Sequence, residues 1–414
     1  MLKAEILSQG DEVVSGQIAD TNAAWLASEL VQLGFEVTRH TGVGDKLEEI
    51  EDLVRLTARR CDVAISTGGL GPTDDDLTAQ AVSKAFGRPL VLDEEALEQV
   101  KSYYAKAQRI MPKVNEKQAY LPEGSRRLDN HWGTAPGFAV EEDRALLAFL
   151  PGVPREMKKL FKAYIPALLA ERHALEPARL VTIRTTGVGE SAIQERIGSP
   201  ELEHGVISYR TKLPENHVKL RFTPQASEAY IRQVSTELVD KIGSPVFCVE
   251  GLDEPGGSLI EVVGRTLLSR GETLATAESC TGGRVAASCT GVPGSSQWFL
   301  EGVVAYSNRT KVELVGVSPE TIAEHGAVSE QVARQLADGI RQRAGATFGL
   351  STTGIAGPGG GTEEKPVGTV HIALSTATKT YHRCLRLGGQ RDRIQQLSAA
   401  AVIDLLRRYL QEHL

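Results

Sequence analysis

At 414 residues the chain is too long for one ordinary core, and at roughly 100–200 residues per domain several domains are expected. A hydrophobic content of 41 % with scattered charge is that of a globular protein. A net charge of −7 gives no general pull toward nucleic acid or an anionic membrane, so neither partner is expected.

No apolar run approaches the ~18 residues of a membrane span, and the start, MLKAEILSQGDE, has no signal-peptide core. The five cysteines have no CxxC spacing, which argues against a disulfide framework and a cysteine zinc site. A cytoplasmic protein is expected.

In chain order, Lys3–Ser8 reads as a strand, Asp20–Leu33 as a helix, Glu36–Thr41 as a strand and Leu47–Arg59 as a helix. Cys61–Ser66 is a short apolar strand, and Leu77–Phe86 a helix stopped by Gly87 and Pro89. Between these two lies the glycine-rich loop Gly68-Gly69-Leu70-Gly71-Pro72-Thr73-Asp74-Asp75-Asp76. Glycines let backbone N–H groups approach an anion, and the helix N-terminus adds positive potential. Carboxylates beside a phosphate repel it unless a divalent cation bridges them. By itself the loop is read equally well as a metal–phosphate site or as a tight turn whose aspartates cap a helix. Alternating βαβαβα order predicts a doubly wound parallel sheet, with ligands beyond the carboxyl ends of its strands. Gly10-Asp11-Glu12, Gly42-Val43-Gly44-Asp45 and the Gly68–Asp76 loop all leave those ends. Their convergence favours the metal–phosphate reading. Asn115–Leu121, Gly133–Gly137 and Pro151–Pro154 are turn-rich loops placed to close over a ligand, and Arg155–Leu169 is an amphipathic helix ending the domain.

GDEVVSGQIADTN, GGLGPTDDDLT and LPGVPREM resemble, in order and spacing, the N-terminal domain of the CinA family, which is similar to the MoaB/MogA molybdopterin-binding fold. The resemblance implies a metal-dependent ADP-ribose pyrophosphatase over residues 1–170, yielding AMP and ribose 5-phosphate. It implies Asp45 and Asp76 as catalytic residues and, with Glu12, as ligands of Mg or a similar divalent ion. Gly68, Gly69, Gly71, Thr73, Asn22 and Thr134 are the implied substrate contacts.

Residues 171–250 read as βαββαβ, a small split α+β module, and CinA proteins are similar here in carrying a KH-like module. Gly187-Val188-Gly189-Glu190 lacks the GxxG spacing of an RNA-binding KH loop. With nine Lys/Arg against ten Asp/Glu from Leu175 to Glu250, the module has no positive face. A spacer or dimerisation element is expected, and residues 251–257 read as a flexible linker.

In residues 258–414, strand Glu272–Ala277 turns through Glu278-Ser279-Cys280-Thr281-Gly282-Gly283 into helix Arg284–Ser288. Ser279 is an N-cap or a nucleophile on this evidence. Cys280 with His325 or His371 is one nucleophile–base pairing; Ser279 with Lys311 as base and Tyr306 assisting is another. On sequence alone Tyr306 and Lys311 read rather as a core tyrosine and a solvated surface lysine. Ser351–Gly361 is a second glycine-rich loop, and Asp392–Leu410 a closing amphipathic helix.

AESCTGG, AYSNRTK, HGAVSE, TGIAGPGGG and KPVGTV resemble the CinA C-terminal domain, the nicotinamide mononucleotide (NMN) deamidase fold. The resemblance implies a serine–lysine amidohydrolase with catalytic Ser279, Tyr306 and Lys311 and no cofactor in this domain. The oxyanion is expected near Thr281, Gly282 and Gly283, and the NMN phosphate near Gly357 and Arg391. Where relatives often carry a second arginine this chain has Gln395, with Arg393 nearby. The expectation is therefore a multidomain α/β, homodimeric, bifunctional hydrolase acting on ADP-ribose and NMN. The alternative is a nucleotide- or pterin-binding regulatory protein without turnover in the first domain.

Overall fold

The computed structural model describes residues 2–253 and 255–412 and divides into two compact units between Arg179 and Leu180. In the first unit, strands Glu36–Val43, Lys3–Gln9, Val63–Thr67 and Ala145–Leu150 lie parallel in that order. Val63–Thr67 is buried along its whole length, as a strand covered on both faces must be. Helices Thr21–Gln32 and Pro154–Arg172 cover one face through Leu26, Leu30 and Phe161. Leu47–Arg60 and Thr78–Phe86 cover the other through Val54, Ala58 and Val82. Asp20 starts its helix by accepting the Ala23 N–H at 2.8 Å, and Gly87, at φ 63°, ends the helix after the glycine loop.

The sheet is not parallel throughout. Gly137–Glu142 and Arg126–Leu128 add an antiparallel edge, because Glu142 pairs with Ala145 across the two-residue turn Asp143-Arg144. Helix Glu94–Lys106 and the ribbon of Leu90–Leu92 with Tyr120–Pro122 also lie beyond the simple alternation.

The second unit holds two sheets. One orders Gly205–Lys212, Glu215–Phe222, Arg179–Thr186 and Val246–Glu250, with helices Glu190–Ile197 and Glu228–Ile242, which is the expected split α+β topology. The other sets Phe299–Val304, Leu274–Glu278 and Phe348–Gly354 parallel, then Thr369–Ser375 and Thr380–Arg386 antiparallel. Helix Glu330–Ala344 packs on one face, and Leu259–Arg270 with Arg391–Leu410 on the other.

The first compact unit runs on to Arg179, past the expected domain end at 170, and the middle module packs on the last domain rather than being joined to it by a free linker. Phe247 and Cys248 enter the last domain's core. The Arg407 guanidinium, 2 % exposed, donates to Ser244 O at 2.7 Å and Val246 O at 3.0 Å. Arg265 holds Pro255 O and Gly256 O. Among the described residues no helix is long and apolar enough to cross a membrane.

Candidate active sites

In the second unit, the buried strand Leu274–Glu278 ends at Ser279, and Gly282 and Gly283 turn the chain at φ 63° and 94° into helix Arg284–Thr290. Those left-handed angles favour glycine. Glu278 fixes the turn. Its carboxylate, 1 % exposed, accepts the Thr281 hydroxyl at 2.7 Å and the N–H groups of Gly283, Val285 and Ala286 at 3.0, 3.1 and 2.8 Å. It thus satisfies the orphan amides of the helix N-terminus. Thr281 is held again by Thr352, 2.6 Å away. The Gly283 N–H, expected near an oxyanion, is therefore spent on Glu278, and the Gly282 N–H on Ser279 O. Among the described residues, the N–H groups of Cys280 and Thr281 have no such acceptor.

Lys311 comes in from helix Asn308–Val315 and is 2 % exposed. Its Nζ lies 3.1 Å from Ser279 Oγ, 2.8 Å from Ala305 O and 3.1 Å from Tyr306 O. Burial holds its ammonium below the ordinary lysine value of 10.5. The neighbouring Cys280 thiol is pushed up to about 12 by burial, so it stays protonated at neutral pH and offers Lys311 no anion. A neutral amine has two N–H donors and one lone pair. The two carbonyls take the donors, and the lone pair faces the Ser279 hydroxyl. An ammonium donates to the same three oxygens, so proton transfer needs no rearrangement.

Ser279, Cys280, Tyr306, Lys311 and Arg391 line one cavity of about 220 Å3, together with Asn308 and Thr353. Tyr306 holds Lys311 through its carbonyl; its phenol, on a side chain 61 % exposed, accepts from Arg391 at 3.2 Å. Gly357 fastens Arg391 by accepting its other Nη at 2.7 Å. Gln395 donates to Cys280 O at 2.8 Å, steadying the nucleophile turn, and Arg393 is not among the cavity residues. His371 pairs with His382 at 2.9 Å and His325 lies at the end of its own helix; neither lines this cavity.

In the first unit, Gly68, Gly69 and Gly71 form the floor of a cavity of about 410 Å3 that Glu12, Asp45, Asp76 and Thr134 also line. Gly68 and Gly69 take φ 104° and 66°, and a Cβ there would stand 2.4 Å from Gln9 O and 2.3 Å from Thr78 Oγ1. The loop is tied from within. Asp76 accepts the N–H groups of Gly71 and Thr73 at 2.7 and 2.9 Å and the Thr73 hydroxyl at 2.5 Å. Thr73 is thereby a loop residue rather than a cavity residue. Asn22 also stands back from the cavity, donating to Gly152 O at 2.7 Å.

The expected metal set of Asp45, Asp76 and Glu12 does not assemble. Among the described residues no three His, Cys, Asp or Glu side chains are grouped to hold a metal ion. Asp76 commits both oxygens to its own loop, and one Asp45 oxygen accepts the Asp11 N–H at 3.0 Å. Asp45 nonetheless sits in a negative field: burial first, then Asp11, Glu12 and Asp75, raise its carboxyl above the ordinary value.

Sequence reasoning passed over Glu156, Gln118 and Glu278. Glu156 lines the cavity, is held by Asn130 at 2.7 Å and is raised by burial; nothing local in its helix marks it. Gln118 bridges Leu70 O and Thr134 Oγ1 across the loop. Glu278 carried a signal: a carboxylate just before a glycine turn into a helix fits the positive end of that helix.

Residues 257–410 match the family model described as the CinA C-terminal domain, and residues 5–170 match one described as a probable molybdopterin binding domain. A CinA-like protein of Shewanella sp. (strain ANA-3) is 41 % identical over 413 residues, 99 % of this chain and 96 % of that protein. A putative competence-damage inducible protein of Acetivibrio thermocellus is 40 % identical over 418 residues, 99 % of each chain. A Shewanella oneidensis protein named nicotinamide-nucleotide amidohydrolase PncC is 40 % identical over 412 residues, 99 % of this chain and 96 % of that one.

Proposed function

The chain belongs to the CinA family, and on that premise we propose that its last domain hydrolyses the carboxamide of NMN to nicotinate mononucleotide and ammonia. The observation that carries this reading is the buried contact of Lys311 Nζ with Ser279 Oγ at 3.1 Å, with no carboxylate among the described residues paired to the amine to keep it charged. The name of the Shewanella oneidensis relative supports the same substrate.

Lys311 takes the hydroxyl proton as Ser279 Oγ attacks the carboxamide carbon. The carbonyl oxygen becomes an oxyanion, and the N–H groups of Cys280 and Thr281 are assigned to hold it. Lys311 returns the proton to the leaving nitrogen, ammonia departs, and an acyl ester remains on Ser279. Water, deprotonated by Lys311, then attacks the ester and releases the acid. Arg391, fixed by Gly357 O and Tyr306 Oη, is the cation for the phosphate. Ammonia release from NMN by purified protein tests this; a folded chain that releases none refutes it.

For the first domain we propose hydrolysis of ADP-ribose to AMP and ribose 5-phosphate. The observation favouring it is one cavity lined by both the glycine loop and the carboxylates Glu12, Asp45 and Glu156. The residues fit a Mg-type ion of few protein ligands, because such an ion takes one or two carboxylates and completes its shell with water and substrate phosphates. Asp45 and Glu12 would hold it, and the crowding of Asp11 and Asp75 about Asp45 is what a cation would relieve. When bound it neutralises the diphosphate. Asp76 shapes the loop that receives the phosphates, and Glu156 is the carboxylate assigned to take a proton from the attacking water. AMP formation that stops in excess chelator supports this reading. Tight diphosphate binding with no AMP formed supports the binding-only alternative instead. A homodimer remains part of the proposal.

A further inference from the structure

The sequence offered His371 as a base, and the deamidase cavity leaves it unused. It stands instead on strand Thr369–Ser375, directly opposite Cys384 on Thr380–Arg386, the edge strand of that sheet. Ala333, Ala337 and Ala373 are fully buried where helix Glu330–Ala344 packs on this face, and their small side chains let the helix lie close over the strand pair. A continuous chain of four groups results. Cys384 Sγ lies 3.9 Å from His371 Nε2, His371 Nδ1 lies 2.9 Å from His382 Nε2, and His382 Nδ1 lies 3.3 Å from Glu330 Oε2. Cys384 is exposed, whereas the other four cysteines are buried.

The network fixes where its protons sit. Arg334 donates to Glu330 at 2.8 Å and holds its carboxyl below the ordinary value, so that end of the chain only accepts. Burial lowers both imidazoles, His371 to about 4 with the help of His382, Lys365 and Arg386, so both rings are neutral at neutral pH. His382 Nδ1 therefore carries a proton toward Glu330, and its bare Nε2 accepts from His371 Nδ1. The remaining lone pair, on His371 Nε2, faces the Cys384 thiol. A nucleophile, a base and a group orienting that base form the arrangement that activates a thiol.

We infer that Cys384 is a nucleophilic thiol that captures small anionic disulfides as a mixed disulfide, its proton leaving through His371 and His382 to Glu330. Sγ attacks one sulfur of the reagent. The new S–S bond forms as the reagent's own S–S bond breaks, and the electron pair departs on the expelled thiolate. The Cys384 sulfur is oxidised and the expelled sulfur reduced, so no other oxidant enters. The thiol proton moves to His371 Nε2 as the Nδ1 proton passes to His382 and the His382 Nδ1 proton to Glu330, which yields it to water. Neither ring becomes an imidazolium, which is how two histidines of lowered basicity serve as a base. Lys365 and Arg386, close enough to act on His371, favour a reagent that bears carboxylates.

Reaction of the full chain with dithiobis(nitrobenzoate), which expels a coloured thiolate, tests this. A peptide of residues 380–386 gives the unfolded reference with the same sequence neighbours. A free cysteine is already a few per cent thiolate at neutral pH, so proton removal accelerates attack by roughly thirtyfold at most. One thiol of the native chain should react, about tenfold faster than the peptide, and Cys384→Ser should abolish that reaction. His371→Leu and Glu330→Gln should each return the rate to that of the peptide. Each variant should offer one thiol when folded and all five in denaturant, which separates a lost relay from a lost fold. Arg386→Gln should slow this reagent about threefold, the scale of one surface charge pair, and leave neutral bis(hydroxyethyl) disulfide unaffected. A native rate equal to that of the peptide, or a His371→Leu chain as fast as the unaltered one, overturns the relay. Equal slowing of both reagents in Arg386→Gln overturns the anionic reagent.

Discussion

Replacing Lys311 by Met keeps an unbranched apolar stem in the buried slot and removes the amine that touches Ser279, Ala305 O and Tyr306 O. General-base help is typically worth about 10²–10⁴ in rate, or ~2.7–5.5 kcal/mol at about 1.36 kcal/mol per decade. Deamidation should fall by at least that much, because serine without a base is a weak nucleophile. Combined with Ser279→Ala, the loss should be little larger than either alone, since the pair acts as a unit. In the intact chain, kcat/KM should fall as pH drops through the depressed Lys311 value, because only the neutral amine takes a proton. Stability carries a matching signature. Between the folded value and 10.5, the unfolded chain binds the Lys311 proton and the native chain does not, so stability rises with pH there. Below that window the native chain bears the full cost of a buried ammonium, and above 10.5 it bears none. Lys311→Met lacks this rise, and denaturant titrations at a series of pH values read the difference directly. A Lys311→Met enzyme within tenfold of the unaltered chain, or a deamidation rate that does not fall toward acid, refutes the reasoning.

Cys280→Ala should keep most of the deamidase activity and lose about 1 kcal/mol of stability, because its thiol is packed and protonated rather than nucleophilic. Urea unfolding and ammonia release measure the two effects separately. Arg391→Ala should raise KM for NMN by about 10–100-fold with a smaller change in kcat, as for loss of a charge-assisted phosphate contact of ~1.5–3 kcal/mol. Nicotinamide riboside, which lacks the phosphate, should show little difference between the two proteins. Residues 180–414 should fold and deamidate NMN, whereas residues 257–414 should be markedly less stable, because the cut removes Phe247 and Cys248 from the core and leaves buried Arg407 without Ser244 O and Val246 O. Equal thermal midpoints for the two fragments would contradict this.

Much of the fold was legible because local signals agreed with tertiary packing. Helix Glu228–Ile242, one of the two helices in the βαββαβ order, is bounded by local signals: Ser227 accepts the Tyr230 N–H at its start and Gly243 follows its end. Strand Val63–Thr67 was readable as a continuous apolar run. Helix Glu330–Ala344 went unread, although Ser329 caps it and Val332, Leu336 and Ile340 form its stripe. The antiparallel edge at Gly137–Leu150 was hidden because its hairpin turn uses Asp143 at φ 49° rather than a glycine pair.

The sites divide in the same way. Ser279, Lys311 and Arg391 meet around one cavity, a grouping that the family resemblance implied and local spacing did not. What each glycine-turn amide is bonded to is not written in local sequence. Glu278 and Asp76 consume the very N–H groups that a loop reading offers to a ligand. The docking of the middle module through Arg407 lay equally beyond reach, because its partners Ser244 and Val246 are more than 160 residues away.

The most direct measurement is the site of acylation. Acid quenching of the full chain during turnover of NMN, followed by peptide mapping by mass spectrometry, should place a nicotinoyl-mononucleotide adduct on Ser279. Ser279→Ala should show neither adduct nor ammonia. An adduct on Cys280, or undiminished ammonia release from Ser279→Ala, would contradict the account.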